Sequence, residues 1–265
     1  MIDLHSPTAR LTALRKWFSR FARSFYTSNE EDRKNISLKI RHTYKVCRNI
    51  TEIAREERQG QTSIPVAEVI ALLHDVGRFP QYAQYKTFND RISVNHAELG
   101  ARIITSKGLL KEFPSDEQEI ITDAVKFHNA FAIPKLKNPE KEFFLKLIRD
   151  ADKLDIWRVF IEYFESSETE RASAAGIGLP ELPGYSEEVF SYLLRKQVVP
   201  LSKVKSLNDY KLVQLSWIYD LHFRTSYALL LDRGYIKRII AHLPQTESIS
   251  RLSVFLQEFA LSRIK

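Results

Sequence analysis

Val69-Ile70-Ala71-Leu72-Leu73-His74-Asp75-Val76-Gly77-Arg78-Phe79-Pro80 is the stretch on which the reading of this chain turns. An apolar run with the character of a buried helix ends in a histidine and an aspartate side by side. Gly77 then frees the backbone to turn, and Pro80 stops the helix from continuing. Placing an imidazole and a carboxylate at the dry end of a buried helix costs free energy unless something compensates. A bound metal ion is the usual compensation, since neutral imidazole with carboxylate is a common ligand mixture for divalent cations. One His-Asp pair carries little weight by itself, so the other histidines decide the matter.

Upstream, a helix is expected from about Glu30 to Arg58, with Ile36, Ile40, Val46, Ile50 and Ile53 as its buried stripe and His42 close to that stripe. Gly60 to Ile64 is a polar break before a helix that opens at Pro65. Downstream of the pair, Phe79 to Val94 reads as a polar and aromatic loop long enough to be functional. The next helix carries Asn95-His96-Ala97-Glu98-Leu99-Gly100. Ser115-Asp116-Glu117-Gln118 matches a capping box, opening a helix through Ile120, Ile121, Ala124 and Val125 to Phe127-His128-Asn129. Asn138-Pro139-Glu140 starts another, which continues through Phe143, Phe144, Leu147 and Ile148 into Arg149-Asp150-Ala151-Asp152-Lys153-Leu154-Asp155. His42, His74, Asp75, His96, His128 and Asp152 thus stand beside apolar stripes in successive helices. The economical explanation is that they share one ion or two.

The flanks are helical as well. Residues from about Ser6 to Tyr26 form an amphipathic pattern, with Leu11, Leu14, Trp17, Phe18, Phe21 and Phe25 on one side and Arg10, Arg15, Lys16, Arg20 and Arg23 interleaved. Such a basic helix resembles a targeting or membrane-surface segment, but its aromatics fit docking on a core, which is the reading adopted. Ser166 to Tyr185, with its glycines and prolines, reads as a loop or lid. Beyond it, Leu212, Leu215, Ile218 and Leu221 make one stripe, and Leu252, Phe255 and Phe259 mark a last helix. Strand alternation is missing, so the expected fold class is all-α. Its expected organisation is a basic first helix over residues 1–30, a central helical domain over 31–165, the lid over 166–185, and a helical extension over 186–265.

Composition narrows the setting. At 44% hydrophobic residues over 265, the chain can bury a substantial core. No apolar run approaches the roughly 18 to 20 residues a membrane span requires, and no secretory leader is recognised. Cys47 is the sole cysteine, which suits a reducing cytoplasm, the expected location. The net charge of +7 favours an anionic partner.

The ordered set H…HD…D resembles the HD superfamily of metal-dependent phosphohydrolases, over roughly Arg41 to Arg158. His74-Asp75-Val76-Gly77 stands where members carry their defining pair, and Ala151-Asp152-Lys153-Leu154 is similar to their late aspartate segment. His96 and His128 resemble the added ligands of the six-ligand, two-metal branch. The resemblance implies that His42, His74 and Asp152 hold one metal, that His96 and His128 hold a second, and that Asp75 bridges them in a catalytic role. It implies two divalent transition-metal ions. Iron or manganese suits the imidazole-rich set, with magnesium, nickel, cobalt or zinc as alternatives. Metals about 3.5 to 4 Å apart generate a hydroxide and clamp phosphoryl oxygens.

Arg78 follows the pair where several members carry lysine, and a guanidinium there is expected to grip a substrate phosphate. Lys86, Asn89 and Arg91 are weaker substrate-binding candidates. Asp150 and Asp155 are read as facing away from Asp152, in structural or supporting roles. His222 reads as a packing residue, and His5 and His242 lack support as ligands. After His128 the sequence Asn129-Ala130-Phe131-Ala132-Ile133-Pro134 departs from the Gly-Tyr-Pro pattern of cyclic-di-GMP phosphodiesterases. The expected activity is therefore hydrolysis of a small phosphate ester, nucleotide or phosphodiester. The alternatives are an HD-type di-iron oxygenase and an HD nuclease. We read the positive charge as spread along the chain, without a nucleic-acid recognition signature, so nucleic acid is not the favoured partner. The oligomeric state stays open, a homodimer included.

Overall fold

The structure is a computed structural model that describes residues 6–57, 64–167, 171–175 and 178–265. The described residues are helical, with no strand among them, as the sequence pattern predicts. Contacts divide the chain into two units: one ends at Asp155 and takes in Arg171–Ala175, and the other begins at Ile156 and runs to Lys265.

The first unit is built around α3, Ile64–Leu73, whose Val66, Ala67 and Val69 to Leu73 are all buried. A helix whose only polar side chain is one glutamate, Glu68, has to be surrounded. It is: α1 (Pro7–Arg23), α2 (Glu30–Glu57) and α6 (Ser115–Phe127) pack against it. α2 starts at Asn29, whose side chain accepts from the amide of Asp32, with Glu30, Glu31 and Asp32 complementing the helix dipole. The predicted end of this helix at Arg58 and most of the expected break before α3 fall outside the described residues. So does His5.

α1 is docked on the core. Phe18 is fully buried, edge-on to Phe79 and Tyr44, while Phe21 and Phe25 also pack on Phe79. Phe79 belongs to a short helix, α4 (Arg78–Tyr85), inside the segment predicted as loop. Pro80 does not block it. As the third residue of α4 it occupies a first-turn position whose amide has no partner within the helix anyway. A 3₁₀ turn, Asp90–Ile92, and α5 (His96–Ser106) follow, the latter capped by the Asn95 side chain.

The capping box expected at Ser115 is not formed. Ser115 is already helical, Pro114 takes the cap position, and the Gln118 amide reaches back to the carbonyl of Phe113. α7, Pro139–Glu165, starts as predicted, with Asn138 accepting from the amide of Glu140. Within the predicted lid, residues 168–170 and 176–177 lie outside the described set. The turn Ser173–Ala175 is held by Glu31, which accepts from the amide of Ser173 at 2.7 Å, and by Asn35, which accepts from that of Ala174 at 3.0 Å.

The second unit contains the end of α7 followed by α8 (Glu187–Leu194), α9 (Leu207–Ser216), α10 (Arg224–Asp232), α11 (Tyr235–Ala241) and α12 (Glu247–Ile264). Leu212, Leu215, Ile218, Leu221, Leu252 and Phe259 are buried, matching the predicted stripes. Trp157 is buried among Trp217 and Tyr235 and donates to the carbonyl of Gln214 at 2.9 Å. Asp209 accepts from both the amide and the hydroxyl of Ser186, tying the start of α8 to α9.

Removing the ring that seats α1 should be costly. Phe18→Ala is expected to lower the unfolding free energy by about 3–5 kcal/mol in chemical denaturation. A loss well under that would mean that α1 contributes little to the core.

Candidate metal centre

Each histidine of the set is placed by a local feature. His42 lies on the inward face of α2, and His74 and Asp75 form the turn that ends α3. His96 is the first residue of α5, and His128 caps the end of α6. Asp152 comes from the middle of α7. The structure brings all six together.

The ring orientations follow from what faces Nδ1. In His74 and His128 it lies 2.7 Å from the carbonyl oxygens of Ala71 and Val125, three residues back along each helix. In His42 and His96 it lies 2.7 Å from Asp155 Oδ2 and Asp90 Oδ2. Carbonyl and carboxylate oxygens only accept, so every Nδ1 carries a proton and donates. In a neutral ring this leaves a bare lone pair on Nε2, and those lone pairs converge. His42 and His74 face each other Nε2 to Nε2 at 3.3 Å, and His96 and His128 do so at 3.0 Å.

Asp75 stands between the two pairs and shows one oxygen to each. Oδ2 is 3.5 Å from His42 Nε2 and 3.7 Å from His74 Nε2, while Oδ1 is 3.2 Å from His96 Nε2 and 3.9 Å from His128 Nε2. Asp152 Oδ1 joins the first pair, 3.1 Å from His42 and 3.6 Å from His74. That oxygen is buried without a hydrogen bond. Donors bound at about 2.0–2.2 Å around one ion lie roughly 3–3.6 Å apart, so most of these separations suit shared cations. His42, His74 and Asp152 form one group able to hold an ion, and His74, Asp75 and His128 form another.

The electrostatics are those of a crowded, dry site. Burial and nearby Lys39 pull the His42 imidazole down, yet the Asp152 and Asp155 carboxylates hold its pKa up at about 9. Burial pushes His128 down to about 3, helped by His96 and His74. Burial would raise Asp75, but Lys39, His74, His96 and Arg78 outweigh it and hold the carboxyl well below its usual range. Asp152 is held low in the same way by His42 and His74. Five of the six groups are at most 5% exposed, and only the Asp152 side chain, at 16%, opens toward solvent.

The surrounding residues differ from the sequence expectation. Arg78 Nη1 donates to Asp90 Oδ1 at 2.7 Å, to the carbonyl of Phe88 at 2.6 Å and to Gln81 at 3.0 Å, and its Nε is 3.4 Å from Asp75 Oδ1. The guanidinium is engaged inside the protein. Lys86 is paired with Asp32, Asn89 caps the Asp90–Ile92 turn, and Arg91 is exposed on that turn. Asp155 does not face away. Three residues after Asp152, it shares that residue's helix face and orients His42.

Two partners escaped the sequence reading. Lys39 donates to Asp75 Oδ2 at 2.8 Å, one helical turn before His42, a spacing that could have flagged it. Asp90 gathers Arg78, Gln81, His96 and Asn129, which no local pattern announces. His222 lies beside Asp220 and His242 beside Phe164, both in the second unit.

Residues 40–157 match the family model of the HD domain, a stretch that contains all six converging groups. That stretch, under half of the chain, is an HD domain, a module of metal-dependent hydrolases. No curated protein and no solved structure matches the chain.

Gly77 has ordinary right-handed helical angles, so its role is not the freedom to turn that the sequence suggests. A Cβ there would overlap the carbonyl oxygen of His96 and stand 2.8 Å from the amide nitrogen of Gly100. The bare glycine lets α5 lie against the His-Asp turn. Gly77→Ala should destabilise the protein by about 1–3 kcal/mol through overpacking and should disturb His96 more than His42. Histidine NMR shifts together with a denaturation curve would show this, and an unperturbed His96 would contradict it.

Proposed function

We propose that this chain is a two-metal phosphohydrolase that acts on a small phosphate-containing substrate. One observation carries the reading: four imidazoles with donating Nδ1 groups aim their Nε2 lone pairs at the two oxygens of one carboxylate. His42, His74 and Asp152 would hold one divalent ion, His96 and His128 a second, and Asp75 would bridge them. The imidazole-rich donor set favours iron or manganese. When bound, the ions supply an activated water and a clamp on phosphoryl oxygens.

The other residues have roles that follow from their contacts. Asp155 and Asp90 accept from His42 and His96 and keep their Nε2 atoms aimed inward. Arg78 acts by positioning, because its bonds to Asp90 and the Phe88 carbonyl are spent on the protein. Lys39 is the better candidate for the substrate phosphate. Its ammonium sits on the bridging carboxylate and over the Phe88 ring at 5.1 Å, with 15% of the side chain exposed. A point charge on a flexible stem can turn from carboxylate to phosphate without rebuilding the site.

Metal analysis of the isolated protein should find two transition-metal ions per chain. His96→Ala or His128→Ala should empty the second position preferentially, and Asp75→Ala should disturb both. Phosphate should be released from a substrate panel in manganese or ferrous buffer under argon. Product that forms only with iron and only as oxygen is consumed would make the protein an oxygenase instead. Binding of no metal at all would remove the basis of both readings.

Lys39→Ala should leave the metal content intact and lower kcat/KM on phosphate substrates by about ten- to hundredfold, the loss of one charge-assisted contact. An unchanged kcat/KM would return Lys39 to a purely structural pairing with Asp75.

A further inference from the structure

The positive charge of this protein is not spread along the chain. Residues 1–51 hold eleven basic and four acidic residues, a net +7, which equals the charge of the whole protein. The remaining residues hold 29 of each sign and are neutral overall. No acid occurs between Leu4 and Asn29 or between Arg33 and Thr51. The excess therefore resides on α1 and on α2 as far as Thr51, beyond which α2 adds three glutamates and one arginine; the two helices pack together within the first unit.

The fold puts much of that charge on the outside. Lys16, Arg20 and Arg23 follow one another at helical spacing along α1, are exposed, and form no ion pair among the described residues. Thr12 and Ser19 lie with Lys16 and Arg20 in the same shallow surface depression, beside Arg15, which is paired with Glu68. On α2, Arg41, Tyr44 and Arg48 are exposed and Lys45 is half-buried, and their spacing puts them on one face. Tyr44 stands edge-on to Phe18 of α1, so this face of α2 adjoins α1. α2 thus turns His42 inward and arginines outward. Two neighbouring helices form one cationic face, with an exposed tyrosine at the seam.

We propose that this α1–α2 face binds the phosphate backbone of double-stranded nucleic acid, independently of sequence. The charge pattern is of the kind that releases condensed counterions from a polyanion. The alternative polyanion, an acidic lipid surface, is less well matched. A membrane-surface helix needs outward apolar side chains, whereas Trp17, Phe21 and Phe25 stack among themselves and on Phe79. The uncharged residues that α1 exposes between its cations are Thr12 and Ala13. The inference does not depend on the reaction proposed above, since none of these residues contacts the metal centre.

The test is fluorescence anisotropy of the full chain with a labelled 30-base-pair DNA duplex and its RNA counterpart, across 50–200 mM salt. The comparison is Lys16→Glu/Arg20→Glu/Arg23→Glu against Lys107→Glu/Lys111→Glu/Lys126→Glu, an equal charge change at exposed lysines elsewhere. Circular dichroism of both variants guards against misfolding. Expected results are measurable binding by the native chain and at least tenfold weaker binding by the α1 variant. The log–log salt slope of that variant should be shallower by about 2.7 for three lost phosphate contacts. The control should lose markedly less. Equal losses in the two variants would show a net-charge effect and overturn the proposal. So would absence of duplex binding at 50 mM salt, or binding to vesicles rich in phosphatidylserine without binding to either duplex. If the α1 variant is misfolded, Lys16→Gln/Arg20→Gln/Arg23→Gln replaces it, with the same direction expected and the same outcomes overturning it.

Discussion

Four hydrogen bonds of 2.7 Å, each from an imidazole Nδ1 to an oxygen that can only accept, determine what the centre of this protein is able to do. Two of the acceptors are backbone carbonyls of the helix ends that carry His74 and His128. The other two are carboxylates brought in from α7 and from the turn after α4. Once those protons are placed, the inward Nε2 atoms of neutral rings have lone pairs and nothing among themselves to donate. Lone pairs held 3.0 and 3.3 Å apart repel unless a cation or a proton lies between them. The whole arrangement is therefore a statement about positive charge, and Asp75, split between the pairs, says the same thing from the carboxylate side.

Such a cluster is a poor way to stabilise a fold. Asp75 is buried beside Lys39 and Arg78, and charged groups removed from water seldom recover their full solvation cost through pairing alone. The stability of the first unit comes from elsewhere: the apolar α3, the rings of Phe18 and Phe79, and the buried face of α2. Against that rigid surround, the polar groups at the end of α3 are held where they are because the packing leaves them little choice. Gly77 is part of that surround, since it sets how closely α5 approaches the turn.

α2 joins the chemistry to the surface. Its inward positions supply Lys39 and His42, and its outward positions supply arginines that continue the cationic side of α1. Helical periodicity alone separates these two sets, since Arg41 and His42 are neighbours in sequence and point in different directions.

The sequence by itself determined the helical class, the stripes of α1, α2, α9 and α12, and the identity of the six converging groups. Those features are local: a periodicity of 3.6, a helix-ending His-Asp pair, a helix start at Asn138. Tertiary structure alone decided the partners that come from distant segments. Asp90 reaches His96 and Arg78 through a turn with no regular pattern, and Arg78 is thereby engaged inside the protein. The close approach that makes Gly77 necessary involves α5, which a reading of the turn could not contain. Asp155 was within reach of the sequence, because a spacing of three from Asp152 puts both on one face. What the spacing could not show is that the face is turned toward His42. Local propensities depend on neighbours along the chain, whereas hydrogen-bond partners depend on which surfaces meet.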